Sequence, residues 1–344
     1  YEGDAYGNLI GINGLVNFNS SWKLRLEYFK NSNQEPIADW IDSDKTFSNY
    51  SVKLDGEKFS GHAFYSELRR ETLNWRSFVR YTNISPTFRS DLGFITQNDV
   101  KKYEIWHGYY SFPDKQFLKN YRLSAKYDRE YNYDNSLKMS AIQAFFTFLT
   151  IYNTNVFYNY EYDFYNSHLM SEFKDYVNHY SRLSTRPFEF MNIRMSYAWG
   201  KDIAYREAIP QLGIRSNLDF QMAVNINNNL RVTPSINFEK LKKIDSNEYF
   251  FDGYIARLDL RYQFNTSLNF RIISEYNEFS DKFFVQPLIS WRPNADTIFY
   301  FGGNQNYVNE FIDYNSPNYI ANKTQLFLKF QYLDKFLLLL LNVT

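Results

Sequence analysis

Arginine and carboxylate side chains recur in this chain of 344 residues at one phase of a two-residue alternation. Arg25 and Glu27 share that phase, as do Arg76 and Arg80, and then Arg122 and Asp128. Further along come Arg194, Arg215 and Asp219, then Arg231 and Glu239. The densest run is Arg257, Asp259 and Arg261, followed by Arg271 and Glu275. Even spacing places such residues on one face of an extended strand, because successive Cβ atoms point to opposite sides. Fixed charges of mixed sign on one face can do two things. They can set a field along a water-filled passage and select solutes. They can also pair across neighbouring strands into a ladder that stiffens an interior. The ladder is the favoured expectation, since barrels of suitable size often enclose a dense polar network or a plug.

Other chemistry finds less support. The histidines are His62, His107, His168 and His179, and none is spaced from another, or from a carboxylate, as in a zinc helix motif. There is no cysteine, which excludes disulfides, thiol catalysis and zinc–thiolate sites. A serine hydrolase needs a serine beside a histidine, but no Gly-x-Ser-x-Gly is present. His62 shares a strand with Phe64 and Ser66, and His107 follows Trp106, without a sequence reason to bring a serine to either. No catalytic residue, metal or cofactor is therefore expected. Asp296-Thr297-Ile298 matches a short O-glycosylation pattern, yet it also opens a strand, and ordinary strand chemistry explains it.

The elements that position these charges are two-faced strands. Tyr254, Ala256, Leu258, Leu260, Tyr262 and Phe264 alternate with Arg257, Asp259, Arg261 and Gln263. Trp22, Leu24, Leu26 and Tyr28 alternate with Lys23, Arg25 and Glu27, and Leu326, Leu328, Phe330 and Tyr332 with Lys329 and Gln331. Aromatic residues make 20% of the chain, with 31 Tyr, 33 Phe and 6 Trp, a composition suited to membrane interfaces. No apolar run is long enough for a membrane-spanning helix, so a chain in lipid has only a closed barrel left to it. The expected fold is all-β: a transmembrane antiparallel β-barrel of about sixteen strands, within a range of roughly 14–18, in a Gram-negative outer membrane. Leu258, Leu260, Leu268, Phe270 and Leu328 should face lipid, with Arg257, Arg261, Asn269, Arg271 and Lys329 on the lumen side. Lys plus Arg equals Asp plus Glu at 38 each, which argues against nucleic acid as a partner.

Seventeen candidate strands run from 7–18 to 323–334, one of them at 48–56. Asn19-Ser20-Ser21, Asp55-Gly56, Asn227-Asn228-Asn229, Asn265-Thr266 and Pro293-Asn294-Ala295 carry turn chemistry. Pro234 and Pro287 fall inside strand patterns and mark bulges or weakened pairing. Long connections are expected at 31–47, 165–187, 241–252 and 307–321. Their aromatics, above all Trp40, Phe173, Tyr176, Phe311 and Tyr314, are expected either to dock a surface protein or glycan or to fold inward over the barrel mouth.

One stretch, Ser90-Asp91-Leu92-Gly93-Phe94-Ile95-Thr96-Gln97-Asn98-Asp99, carries a resemblance. It is joined by Leu258 to Asn265, by Leu288-Ile289-Ser290-Trp291-Arg292-Pro293-Asn294, by Thr297-Ile298-Phe299-Tyr300 and by Lys329-Phe330-Gln331-Tyr332. Together these resemble the C-terminal domain of unknown function in Bacteroidota outer-membrane proteins that carry an N-terminal, xylanase-type sugar-binding β-sandwich. The resemblance covers the chain from about residue 80 on and implies a barrel, with the sugar-binding domain outside this chain. It transfers no catalytic residue. The barrel is expected over 1–336, and the apolar tail at 337–344 departs from the family's usual ending at Gln331-Tyr332. The family's association with sugar-binding modules is the ground for the alternative, a surface glycan hydrolase, which would have to use a carboxylate such as Glu275 or Asp259. The function expected is a non-enzymatic barrel with a charged, filled or narrow lumen, serving uptake or surface assembly, with a porin-like diffusion channel as its transport variant. Its partners would be the bilayer, lipopolysaccharide and a surface protein or glycan.

Overall fold

The computed structural model describes residues 4–90, 95, 97–168, 171–310 and 318–333. The chain opens with β1 (Tyr6–Asn17) and β2 (Trp22–Gln34). Four two-residue strands follow in one connection: β3 (Ile37–Ala38), β4 (Thr46–Phe47), β5 (Tyr50–Ser51) and β6 (Leu54–Asp55). Next come β7 (Lys58–Glu71), β8 (Trp75–Ile84), β9 (Val100–Ser111), β10 (Leu118–Tyr131), β11 (Leu137–Thr150) and β12 (Asn155–His168). The series continues with β13 (Ser171–Phe188), β14 (Met191–Ile203), β15 (Leu212–Asn225), β16 (Leu230–Lys243) and β17 (Tyr249–Gln263). It ends with β18 (Leu268–Asn277), β19 (Lys282–Asn294), β20 (Thr297–Glu310) and β21 (Asn318–Tyr332). The seventeen long strands belong to one sheet. Among the described residues no helix is long and apolar enough to cross a membrane.

By contacts the chain divides into two units, one mainly of residues 1–148 with 158–179, the other mainly of 180–204 with 212–344. Within the first unit the register lines up Val16, Leu24, Leu68, Val79, Ile105 and Tyr127 in one row across six strands. The adjacent row, on the other face, reads Leu15, Arg25, Glu67, Arg80, Glu104 and Asp128. The second unit repeats this. Leu230, Tyr262, Phe270, Ile289, Phe301 and Leu328 oppose one another in sequence across β16–β21. One residue along, on the opposite face, stand Arg231, Arg261, Arg271 and Leu288. Leu258 and Leu260 share the apolar face, and Arg257, Asp259 and Asn269 the polar one.

Burial runs opposite to that of a water-soluble sheet. Ile10, Leu326 and Leu328 are exposed at 74%, 72% and 75%, whereas Glu67 and Asp128 are exposed at only 5% and 3%. The apolar rows are a surface for hydrocarbon, and the charged rows avoid it.

Tight turns form as their residues dictate. Asn19 Oδ1 accepts from the backbone N–H groups of Ser21 and Trp22, and Asn227 Oδ1 from those of Asn229 and Leu230. Asn265 does the same for Ser267 and Leu268. Each side chain replaces ladder partners at a hairpin end. The prolines sit where ladders break: pairing of β15 with β16 skips Thr233 and Pro234, and pairing of β19 with β20 skips Gln286 and Pro287.

Two expectations fail. The segment 48–56 is not a barrel strand, because it folds back on its own connection: Phe47 pairs with Tyr50, and Ile37 with Asp55. Its alternation belongs to a small ribbon. Conversely, 165–187 is not a loop, since β12 runs to His168 and β13 spans Ser171–Phe188. Asp175 has φ 53 inside β13, and such a residue interrupts the two-residue period. Phe173 and Tyr176, an odd step apart, are consequently both buried, at 7% and 5%. They are strand residues and not docking groups on a loop. The connection expected at 241–252 contracts to 244–248. Strands β20 and β21 take most of 307–321, and Phe311, Tyr314 and the tail 337–344 lie outside the described residues.

The register yields an asymmetric pair of substitutions. Leu260→Arg places a charge on the apolar face and should cost about 2–4 kcal/mol if it lies near mid-bilayer. Arg261→Leu, one residue along, should cost clearly less. Unfolding titrations of the protein refolded into lipid vesicles measure the difference, and equal losses would invert the assignment of faces.

Candidate functional site: the charged face

In the first unit the polar face carries an ion-pair network that crosses four strands, β7 to β10. Glu67 is its centre. It accepts from Arg69 Nε at 2.7 Å, from Arg80 Nη2 at 2.6 Å and from the Tyr65 hydroxyl at 3.0 Å. Arg80 reaches the other way to Glu104 at 3.1 Å. Glu104 also meets Lys126 at 3.3 Å, and Lys126 pairs with Asp128 at 2.8 Å. Arg25 pairs with Glu27 at 2.5 Å beside this network. The guanidinium of Arg80 lies 4.4 Å from the centre of the Phe78 ring, so its flat face is covered as its edges donate.

The opposed row explains the order. Arg25, Glu67, Arg80 and Glu104 alternate in sign across β2, β7, β8 and β9. Glu104 and Asp128 then oppose as like charges, and Lys126 bridges them from the next position on the same face. Arg76 and Arg122 instead lie over Tyr110, at 4.3 and 5.8 Å, and Arg122 donates to Thr147 Oγ1 at 3.2 Å.

The second unit is more sparsely paired. Arg257 meets Glu275 at 3.4 Å, and Arg261 grips Asp259 through Nε and Nη2 at 3.0 and 2.9 Å. Asp219 accepts from Ser196 Oγ at 3.2 Å and from the Asn237 amide. Among the described residues Arg194, Arg231, Glu239 and Arg271 make no ion pair. Arg231, Arg261 and Arg271 stand directly opposite one another on three strands with Asp259 as the one paired carboxylate. They border an open pocket of about 750 Å³ lined also by Asn229, Asn269 and Tyr300. The Nε of Arg271 is buried without a partner. That row is a positive patch.

Sequence reading singled out Arg25, Glu27, Arg80 and Asp128 as lumen-lining charges but not Glu67, Arg69, Glu104 and Lys126. The signal was available, since Glu67, Arg69 and Glu71 alternate in sequence, as do Lys126, Asp128 and Glu130. The structure also brings together a pair that sequence could not: Ser77 Oγ lies 2.6 Å from His107 Nδ1. The two are cross-strand neighbours, with Trp75 stacked on the imidazole at 5.2 Å. Among the described residues no carboxylate or amide bonds to His107, which leaves an ordinary cross-strand hydrogen bond.

No family model matches the chain, and no curated protein matches it. Solved structures do. A mutant of the ferric enterobactin receptor PfeA from Pseudomonas aeruginosa superposes with a TM-score of 0.54 at 9% identity, over 96% of this chain and 62% of that one. The copper transporter OprC gives 0.57 at 9% identity, over 95% and 66% respectively. The fold is that of an outer-membrane β-barrel. The chain spans less than two thirds of the length of these structures, and at such identity the likeness speaks for the fold alone.

The barrel's charged face has a measurable weak point at Arg80. Arg80→Leu leaves Glu67 and Glu104 without their shared cation and should destabilise the protein by about 3 kcal/mol, the lower end for breaking a buried ion pair. Arg80→Lys should recover only part of this, because one ammonium cannot span two carboxylates as a guanidinium does. Denaturant midpoints of the three proteins in detergent provide the comparison.

Proposed function

We propose that this chain forms wall of an outer-membrane uptake barrel whose narrow, charge-lined interior passes or holds a solute without acting on it chemically. The observation that carries this reading is the inversion of burial, with alternating charges on one face and continuous apolar rows on the other. The barrel sits in the Gram-negative outer membrane, with bilayer lipid and lipopolysaccharide as its surroundings. Support for uptake comes from the receptor and the transporter that share the fold. The positive row of Arg231, Arg261 and Arg271 favours a solute that carries anionic groups. A hydrolase is disfavoured by the pairing of its candidate carboxylates: Asp259 is held by Arg261 and Glu275 by Arg257, where a glycosidase needs one carboxyl protonated and the other free. The sugar-binding domain implied by the resemblance at Ser90 to Asp99 would give this uptake a glycan as its cargo or tether. Of the aromatics expected to dock a partner, Trp40 is exposed at 78% and remains the candidate.

Planar-bilayer recording tests the reading. The wild type should show little steady conductance, and an Arg80→Ala, Glu104→Ala double variant should open more often. Where current flows, replacing Arg231, Arg261 and Arg271 by Gln should reduce anion preference. A large, steady wild-type conductance would make the protein a diffusion channel instead, and turnover of polysaccharide lost in Glu275→Gln would make it a hydrolase.

A further inference from the structure

The connection between β2 and β7 is a two-stranded ribbon. Glu35 N–H donates to Glu57 O at 3.1 Å, and the pairs Ile37–Asp55 and Ala38–Leu54 continue the ladder. Opposed residues share a face, so Glu35 and Glu57 are neighbours at the ribbon's neck. Asp55, two residues before Glu57, joins them. One carboxylate oxygen from each of the three lies within 4.8 Å of the others.

Three carboxylates placed so closely repel, and like charges opposed in a ladder destabilise it. Partial compensation is present. Arg89 Nη1 reaches Glu35 Oε1 at 3.1 Å, the Ser51 N–H donates to Glu57 Oε2 at 2.8 Å, and the Ser51 hydroxyl to Asp55 Oδ2 at 2.7 Å. Set against Arg89, the three acids leave two negative charges over. Glu35 adds an independent observation. Its side chain is only 4% exposed, and its second oxygen, Oε2, is buried with no hydrogen-bond partner. Burial holds the Glu35 carboxyl above its ordinary range, with Asp55 and Glu57 adding to the effect and Arg89 opposing it. A buried carboxylate oxygen without a donor is unfavourable unless something else satisfies it.

We propose that Glu35, Asp55 and Glu57 form a binding site for a hard divalent cation of the calcium class. Two oxygens at 2.3–2.6 Å from one ion can lie no more than roughly 5 Å apart, which the cluster satisfies. The donors are all oxygen, and no histidine or cysteine joins them, which suits calcium or magnesium over zinc. Calcium fits better, because it accepts irregular arrangements of oxygen ligands, whereas magnesium demands a near-ideal octahedron. A dication cancels the two surplus charges and gives the orphaned oxygen of Glu35 a partner. It also fastens the ribbon's neck. Through Arg89 the site is tied to the connection between β8 and β9, whose buried Phe88 lines one pocket with Glu35 and Phe47. Gly56 makes the arrangement attainable: its φ of 87° lets Asp55 and Glu57 converge, and a Cβ there would meet Ile37 Cγ1 at 3.1 Å.

Calorimetric titration of calcium into the full chain, refolded in detergent, tests the site, with magnesium as the comparison. One buried carboxylate beside an exposed and a half-exposed one predicts a dissociation constant of about 10⁻⁴–10⁻³ M, the range of extracellular calcium modules. Asp55→Asn and Glu57→Gln should each weaken binding tenfold or more, whereas Glu172→Gln, an exposed acid on β13, should leave it unchanged. Gly56→Ala keeps every carboxylate and should also weaken binding. Limited proteolysis supplies a readout of opposite sign. Without calcium, Glu35→Gln should protect the ribbon from cleavage, since it removes the buried charge, and calcium should protect the wild type but not this variant. Absence of calcium binding at millimolar concentration, or unaltered affinity in both Asp55→Asn and Glu57→Gln, overturns the proposal.

Discussion

A peptide group in hydrocarbon has no water to bond with, so each N–H and C=O must be paired within the protein. In this chain strands meet that requirement, and most other features follow. Pairing fixes the period at two, and the period forces adjacent residues onto opposite surroundings. Leu260 and Arg261, neighbours in sequence, therefore belong to different media. The register then transmits the choice sideways. Once Phe270 opposes Tyr262, Ile289 and Phe301 must fall in the same apolar row, and Arg271 in the charged row beside it. The constraint also limits where imperfections are tolerated. Pro234 and Pro287 each lack a donor, and each coincides with a gap in one ladder while the ladder on the strand's other edge stays continuous.

Placing ionised groups on a crowded face raises its own difficulty. Buried charges lose hydration, and an ion pair seldom recovers more than that loss. The gain from the row through Arg25, Glu67, Arg80 and Glu104 is consequently better understood as specificity than as stability. Sliding β2 by two residues along β7 would set Glu27 against Glu67 and Arg25 against Arg69, and sliding it by one would turn the charges toward lipid. Arg80 suits the central position because a planar guanidinium can serve Glu67 and Glu104 at once, with Phe78 covering its face. The second unit lacks so complete a balance. Its row of Arg231, Arg261 and Arg271 keeps net positive charge on a face that the first unit neutralises.

The fold was largely legible because each long strand states its two faces within its own residues, as Leu258 to Gln263 do. Turns were legible for a similar reason: Asn19, Asn227 and Asn265 act on backbone groups only two or three residues away. Legibility ended where period or partner was not local. Strand β13 was missed because Asp175 shifts its phase, which makes Phe173 and Tyr176 look like an irregular aromatic loop. The segment 48–56 was misread since a short ribbon and a long strand share one alternation, and only the partner distinguishes them. Likewise, Glu67 and Glu104 could be placed on the polar face from sequence, but not into a network. Their shared cation, Arg80, sits on the strand between them, and register alone brings the three together.

Outside hydrocarbon the same chain behaves differently. The residues from 35 to 57 are free to expose backbone to water, yet they still form a ladder, and Phe59 and Phe88 are buried. Aromatic packing accounts for part of that order, with Phe47 and Tyr50 meeting Phe59 at ring distances of 5.3 and 5.5 Å. It does not account for the neck. There the ladder sets Glu35 against Glu57, the arrangement that cross-strand electrostatics most disfavours, and hides Glu35 from solvent as well. Strand pairing is not obligatory in water, so a repulsive pair at the neck of an otherwise well-packed ribbon calls for a compensating charge. Arg89 supplies one, and the remaining deficit is of the size and sign that a single divalent ion removes.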